Sequence, residues 1–167
     1  MIAKLNHTIV AARDRKASAL FLSELLDLPP PLLLGPFAAV TVGDDLTLDF
    51  LDTDQEIHRQ HYAFRVSDSE FDRIFARIEE RRLPYWADPH QKKRELINHW
   101  DDGRGLYFED PNGHLIEILT RSYGTAGTQA ENPHPLVAEK LAAGPVDSSP
   151  GPHPGDAVCH EQPRNGR

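Results

Sequence analysis

Glu117 sits in the run LIEIL, between Leu115, Ile116, Ile118 and Leu119. That run reads as a buried strand, and a carboxylate turned into one is costly unless an Arg, a Lys or a metal ion meets it. Three more polar residues occupy similar places: His7 in LNHTIVA, His61 in QHYAFRV and Asp49 in LTLDFL. Two imidazoles and a carboxylate gathered from three strands make the 2-His-1-carboxylate set, which holds a divalent ion and leaves positions open for substrate or oxygen. The same residues can instead form buried ion pairs, His7 and His61 with Asp49 and Glu117, if further hydrogen bonds offset their desolvation. His58, His90, His134, His153 and His160 stand in polar or Pro-rich surroundings and read as surface residues.

The elements that must position the four residues repeat. Residues 5–11 read as a strand; residues 14–28 as a helix with Ala17, Leu20, Phe21, Leu25 and Leu28 on one face, stopped by Pro29-Pro30-Pro31; residues 37–42 and 46–51 as two further strands. A second round follows. Residues 60–66 form a strand, Ser67 and Glu70 have the spacing of a capping box, and the helix they start buries Phe71, Ile74, Phe75 and Ile78. A weak strand or loop after Leu83-Pro84 leads to strands at 104–109 and 114–120. Superposing the rounds sets His7 against His61 and Asp49 against Glu117, and two matched positions in matched elements favour an internal duplication.

Composition bounds the rest. The chain has 167 residues and a formal net charge of -8. Acidic residues outnumber basic ones both before and after residue 123, so nucleic acid is an unexpected partner. No apolar run approaches 18 residues and no secretory signal pattern opens the chain, so neither a membrane span nor export is expected. The one cysteine, Cys159, suits a reducing compartment, and a cytoplasmic location is expected. Residues 124–167 hold half of the 14 prolines and no Phe, Trp or Tyr, and read as a loosely draped tail with one short helical stretch at 136–143. The domain expected is therefore 1–123, with modules at about 4–53 and 59–121.

His7 in LNHTIV, His61 in QHYAFRV and Glu117 in GLYFEDPNGHLIEIL resemble the metal-ligand strands of the vicinal oxygen chelate superfamily, over about residues 4–121. The resemblance implies an α+β fold of paired βαβββ modules that form a cupped mixed sheet around a metal site. It makes His7, His61 and Glu117 the metal ligands. Fe(II) is the favoured ion, with Mn(II), Ni(II) and Zn(II) as alternatives, and the partner is a small-molecule substrate. A homodimer is compatible with it.

The stretch from His99 through Leu106-Tyr107 and Asp110-Pro111-Asn112-Gly113 to Glu117 is also similar to the extradiol dioxygenase signature. That similarity implies that His99 and Tyr107 bond an oxygen of a catechol-like substrate. A histidine that those enzymes carry before the second ligand is missing from 45–49, and so is their second pair of modules. Asp49, the mate of Glu117, would be a fourth ligand or a general base in a glyoxalase-like isomerase or lyase, or in a fosfomycin-resistance-like epoxide-opening or thiol-transfer enzyme. A bleomycin-resistance-type binding protein is the non-enzymatic alternative, with Trp86 and Trp100 as a stacking wall. Phe37, Trp86, Trp100 and Arg104 are the expected pocket lining.

Overall fold

The computed structural model describes residues 3–126 and 130–136. Residues 137–143 of the expected tail helix, His153, Cys159 and His160 lie outside them. The first module runs β1 (His7–Ala12), α1 (Arg15–Leu26), β2 (Leu32–Leu34), β3 (Phe37–Val42) and β4 (Leu46–Asp52). The second runs β5 (His61–Arg65), α2 (Asp68–Glu80), β6 (Tyr85–Trp86), β7 (Gly105–Glu109) and β8 (Leu115–Leu119). Each module is one four-stranded mixed sheet, ordered β1-β4-β3-β2 and β5-β8-β7-β6. The duplication is therefore a complete βαβββ repeat. It includes β2, which was not anticipated after the three prolines.

Register makes the repeat quantitative. β1 runs parallel to β4 with Ile9 opposite Asp49, and β5 runs parallel to β8 with Ala63 opposite Glu117. Ile9 follows His7 by two residues and Ala63 follows His61 by two. Because side chains alternate across a strand, each histidine shares a sheet face with its module's carboxylate.

α2 forms as expected. Ser67 Oγ accepts the Glu70 N–H, Glu70 Oε2 accepts the Ser67 N–H, and Phe71, Ile74 and Ile78 are buried. α1 corrects its forecast. It buries Ser18, Ala19, Leu22, Ser23, Leu25 and Leu26 and leaves Leu20 exposed. Apolar residues lie nearly all round ALFLSELL, so periodicity could not choose a face. The two serines can be buried because Ser18 Oγ accepts from Asn112 and Ser23 Oγ donates to the Leu20 carbonyl.

One core joins the modules, with Val10, Leu22 and Leu25 of the first packed in a cluster with Phe71, Ile74, Ile116 and Ile118 of the second. The Asp-Pro-Asn-Gly turn adds polar ties. Asp110 Oδ1 accepts the Asn112 and His114 N–H groups, and Gly113 takes φ 84°, a region glycine enters without strain. His114 is fully buried: its Nδ1 accepts the Gln60 N–H at 3.1 Å, so Nε2 carries the proton and donates to the Ala11 carbonyl at 2.9 Å. No described helix is long and apolar enough to cross a membrane.

Candidate metal centre

Glu117 lies mid-strand on β8, on the sheet face turned away from α2, between Ala63 of β5 and Tyr107 of β7. It is 1% exposed. Its Oε2 stands 3.1 Å from His61 Nε2, while its Oε1 accepts a hydrogen bond from the Tyr123 hydroxyl. The Tyr107 and Tyr123 hydroxyl oxygens are 3.0 Å apart, and the Tyr107 ring stacks on His61 at 5.9 Å.

Among the described residues no lysine or arginine pairs with Glu117; its one ion-pair contact is His61. Burial pushes the Glu117 carboxyl up to about 7, with the nearby Tyr107 hydroxyl acting the other way. Burial likewise holds the His61 imidazole below its usual value, with Arg59 adding to that and a hydrogen bond at Leu115 acting against it. A carboxyl raised and an imidazole lowered at the same contact do not make an ion pair; both are poised to stay neutral. A divalent cation reverses this, because it takes the carboxylate and the neutral imidazole as ligands and supplies the missing positive charge. The donor pair fits a metal. Burial also holds the Tyr107 hydroxyl far above its usual range, with the Glu117 charge next, so it remains a proton donor.

The other expected site residues are elsewhere. His7 is exposed at the start of β1, its Nδ1 2.9 Å from Asn6 Oδ1, and among the described residues no three His, Cys, Asp or Glu side chains converge to hold a metal. The complete set expected within one chain is thus not assembled in one chain. Asp49 shares the His7 sheet face, with Oδ1 shielded from water and without a hydrogen-bond partner among the described residues. His99 is exposed and its ring bonds the Gly103 carbonyl, which leaves its expected substrate role without a contact to Glu117 or Tyr107. Arg104 is not pocket lining. It faces the other side of the sheet, bound to Asp68 and Asp72 and lying 4.6 Å over the Phe71 ring.

Residues beyond 121 complete the wall. Tyr123 packs on His134 at 4.0 Å, and Trp100 meets Tyr107, Tyr123 and His134 at 6.4, 6.1 and 4.7 Å. Sequence reasoning placed His134 on the surface, but it is buried in this cluster. The aromatic Tyr123, three residues past the predicted end of β8, was the available signal. A groove of about 420 Å³ runs beside the centre, lined by Leu5, Thr8, Leu46 and Leu48 from the first module and His61 to Arg65 from the second.

These features define a paired-βαβββ protein with an imidazole and a carboxylate on the open face of its second sheet. No family model matches the chain. It is 32% identical over 124 residues to the glutathione transferase FosA of Serratia marcescens, covering 71% of this chain and 81% of that one. The solved structure of oxidase ChaP-H2 is 55% identical and superposes with a TM-score of 0.74 over 76% of this chain and all of the other. The fosfomycin resistance protein FosX of Mesorhizobium loti shares the fold at 22% identity, with a TM-score of 0.56 over 73% of this chain and 95% of the other. The chain belongs to the vicinal oxygen chelate superfamily, among its enzymes.

Proposed function

We propose that the chain is a divalent-metal-dependent oxidase that uses dioxygen on a small phenolic or catechol-like molecule. The observation that carries this reading is the buried Glu117 carboxyl with the half-exposed His61 imidazole beside it, paired with no lysine or arginine among the described residues and walled by Tyr107, Tyr123 and Trp100. The 55% identity to a protein named an oxidase supports the reaction class. Fe(II) is the ion proposed. When bound, it would take adjacent substrate oxygens and favour their deprotonated form. His61 Nε2 and Glu117 Oε2 would hold it. Tyr107, kept protonated, would turn its hydrogen bond from the Tyr123 oxygen to a substrate oxygen when one is present, and the Trp100 and Tyr123 rings would stack on a planar ring and exclude water. Ring cleavage of a catechol is one form of such oxidation, suggested by the turn and strand that carry Tyr107 and Glu117.

The third ligand would come from a second copy of the chain. His7 stands on the open face of the first sheet, beside Ile9 at 50% exposed and in a face shared with Leu32 and Leu34 at 61% and 51%. An apolar face of this kind suits a partner surface, and Asp49 Oδ1, shielded yet unpartnered among the described residues, suits a donor from outside the chain. Docking that face on the partner's second module would bring His7 to the partner's centre.

The test is anaerobic loading with Fe(II) followed by oxygen uptake on substituted catechols and hydroquinones. Uptake that requires Fe(II) and is lost in Glu117→Ala is the expected result. A second reading, thiol transfer, is favoured by the 32% identity to a glutathione transferase. Oxygen-independent consumption of glutathione on an electrophile, with Mn(II) and no oxygen uptake, would replace the oxidase with that reading.

A further inference from the structure

We infer that Tyr123 is a positioning residue that fixes which oxygen of Glu117 faces the metal, and that the strap of chain after β8 exists to deliver it. The inference rests on the reading of His61 and Glu117 as metal ligands. A carboxylate can present either oxygen or both to an ion, and a donor on one oxygen removes that freedom. Here the Tyr123 hydroxyl occupies Oε1, and Oε2 is the atom that faces His61 Nε2. Each phenol has one proton. With the Tyr123 proton on Glu117, the proton between the two tyrosines must come from Tyr107, so the hydroxyls form a directed chain from Tyr107 through Tyr123 to Oε1.

The backbone around Tyr123 is held at several points. Asp101 is fully buried at φ 54°, a left-handed conformation that a non-glycine residue adopts at a cost and that persists only where its surroundings enforce it. Its carboxylate accepts the Gly124 N–H at 2.6 Å and the His134 N–H at 3.4 Å, and its own N–H donates to the Asn132 carbonyl at 2.5 Å. Asp102 accepts the Glu131 and Asn132 N–H groups at 3.1 and 3.2 Å. Both described pieces of the strap are therefore tied to the same short turn. His134 packs against the Tyr123 ring at a tilt, 4.0 Å between centroids. None of these contacts requires a metal, so the hydroxyl stands ready before an ion arrives.

Co(II) binding to the full-length chain provides the test, by calorimetric titration and visible absorption, for wild type, Tyr123→Phe, His134→Leu and Glu117→Gln. Tyr123→Phe keeps the ring and removes only the hydroxyl. It should weaken Co(II) binding roughly 10- to 100-fold at unchanged stoichiometry and circular dichroism, and change the visible bands because Oε1 is released to the ion. His134→Leu loosens the packing and keeps the hydroxyl, so it should retain the wild-type bands and an affinity within about threefold, well inside the loss expected when a ligand loses its hydrogen-bond partner. Wild-type affinity and bands in Tyr123→Phe overturn the inference, as does tighter binding, which would make Tyr123 a competitor of the metal. Equal weakening in His134→Leu and Tyr123→Phe with unchanged bands also overturns it, because packing would then account for both. If wild type binds no Co(II), or Glu117→Gln binds it equally well, the metal centre itself falls.

Discussion

At Glu117, one buried carboxyl has opposite effects on stability with and without a cation. Burial lifts its pKa from the ordinary 4.5 to about 7, so the folded metal-free chain holds a proton that the unfolded chain has released. Its contribution is fully present below about pH 4.5 and is lost as pH rises through about 7, a loss on the order of 3 kcal/mol. His61 works the other way, since its lowered value costs stability as pH falls below the ordinary imidazole range. Glu117→Gln keeps the size and hydrogen-bonding shape without the charge. Without metal, its melting temperature at pH 8 should exceed that of wild type, and the difference should vanish near pH 5. With added divalent metal, wild type should gain stability and the variant should not. A variant less stable than wild type at pH 8 without metal would mean that the carboxylate is already satisfied by its neighbours. In turnover, Tyr107→Phe should leave the protein folded and lower kcat/KM by an amount that corresponds to roughly 2 to 4 kcal/mol.

At the scale of elements, the Asp-Pro-Asn-Gly turn before β8 does two jobs. It returns the chain so that Glu117 falls level with Ala63, and it sets His114 between the modules, bonded to Gln60 N–H on one side and the Ala11 carbonyl on the other. His114→Phe would fill the space and leave the Gln60 N–H and the Ala11 carbonyl without their partner, at a cost of about 2 to 4 kcal/mol. Urea unfolding measures this, with Ser67→Ala as the scale, since loss of the α2 cap costs about 1 kcal/mol. If His114→Phe costs no more than Ser67→Ala, the modules are held by the apolar core alone. The last element is the strap. A chain ended at residue 121 should keep the core and lose metal affinity, whereas a chain ended at residue 136 should retain it.

The whole molecule raises the question of where His7 acts. It is matched to His61 in the repeat yet lies on the other sheet, and among the described residues one chain brings together two of the proposed ligands, His61 and Glu117. Co-expression of His7→Ala with Glu117→Ala tests assembly across two copies. Each variant alone should bind metal at least 100-fold more weakly than wild type, since a ligand is a stronger determinant than its support. The mixed dimer should recover one metal per two chains, because one of its centres receives an intact His7, His61 and Glu117. No recovery in a purified mixed dimer would place the third ligand elsewhere.

Local sequence determined the repeat and much of the second module's centre. The repeat matched His7 with His61 and Asp49 with Glu117, while the strand register, with Ile9 opposite Asp49 and Ala63 opposite Glu117, is what puts each histidine on the face of its module's carboxylate. The capping box determined the start of α2 because its chemistry lies within four residues. α1's buried face was not legible, because nearly every side of it is apolar, and neither was the turning of Arg104 toward Asp68 and Asp72. The separation of His7 from Glu117 could not be read either. A shared repeat says that two elements are alike, while the distance between them depends on how one core packs both modules. Tyr123 and His134 were hidden because their contacts depend on the path of the chain after β8. That path is set by Asp101, whose left-handed backbone and buried carboxylate act through residues more than twenty positions away, which only the tertiary structure brings to it.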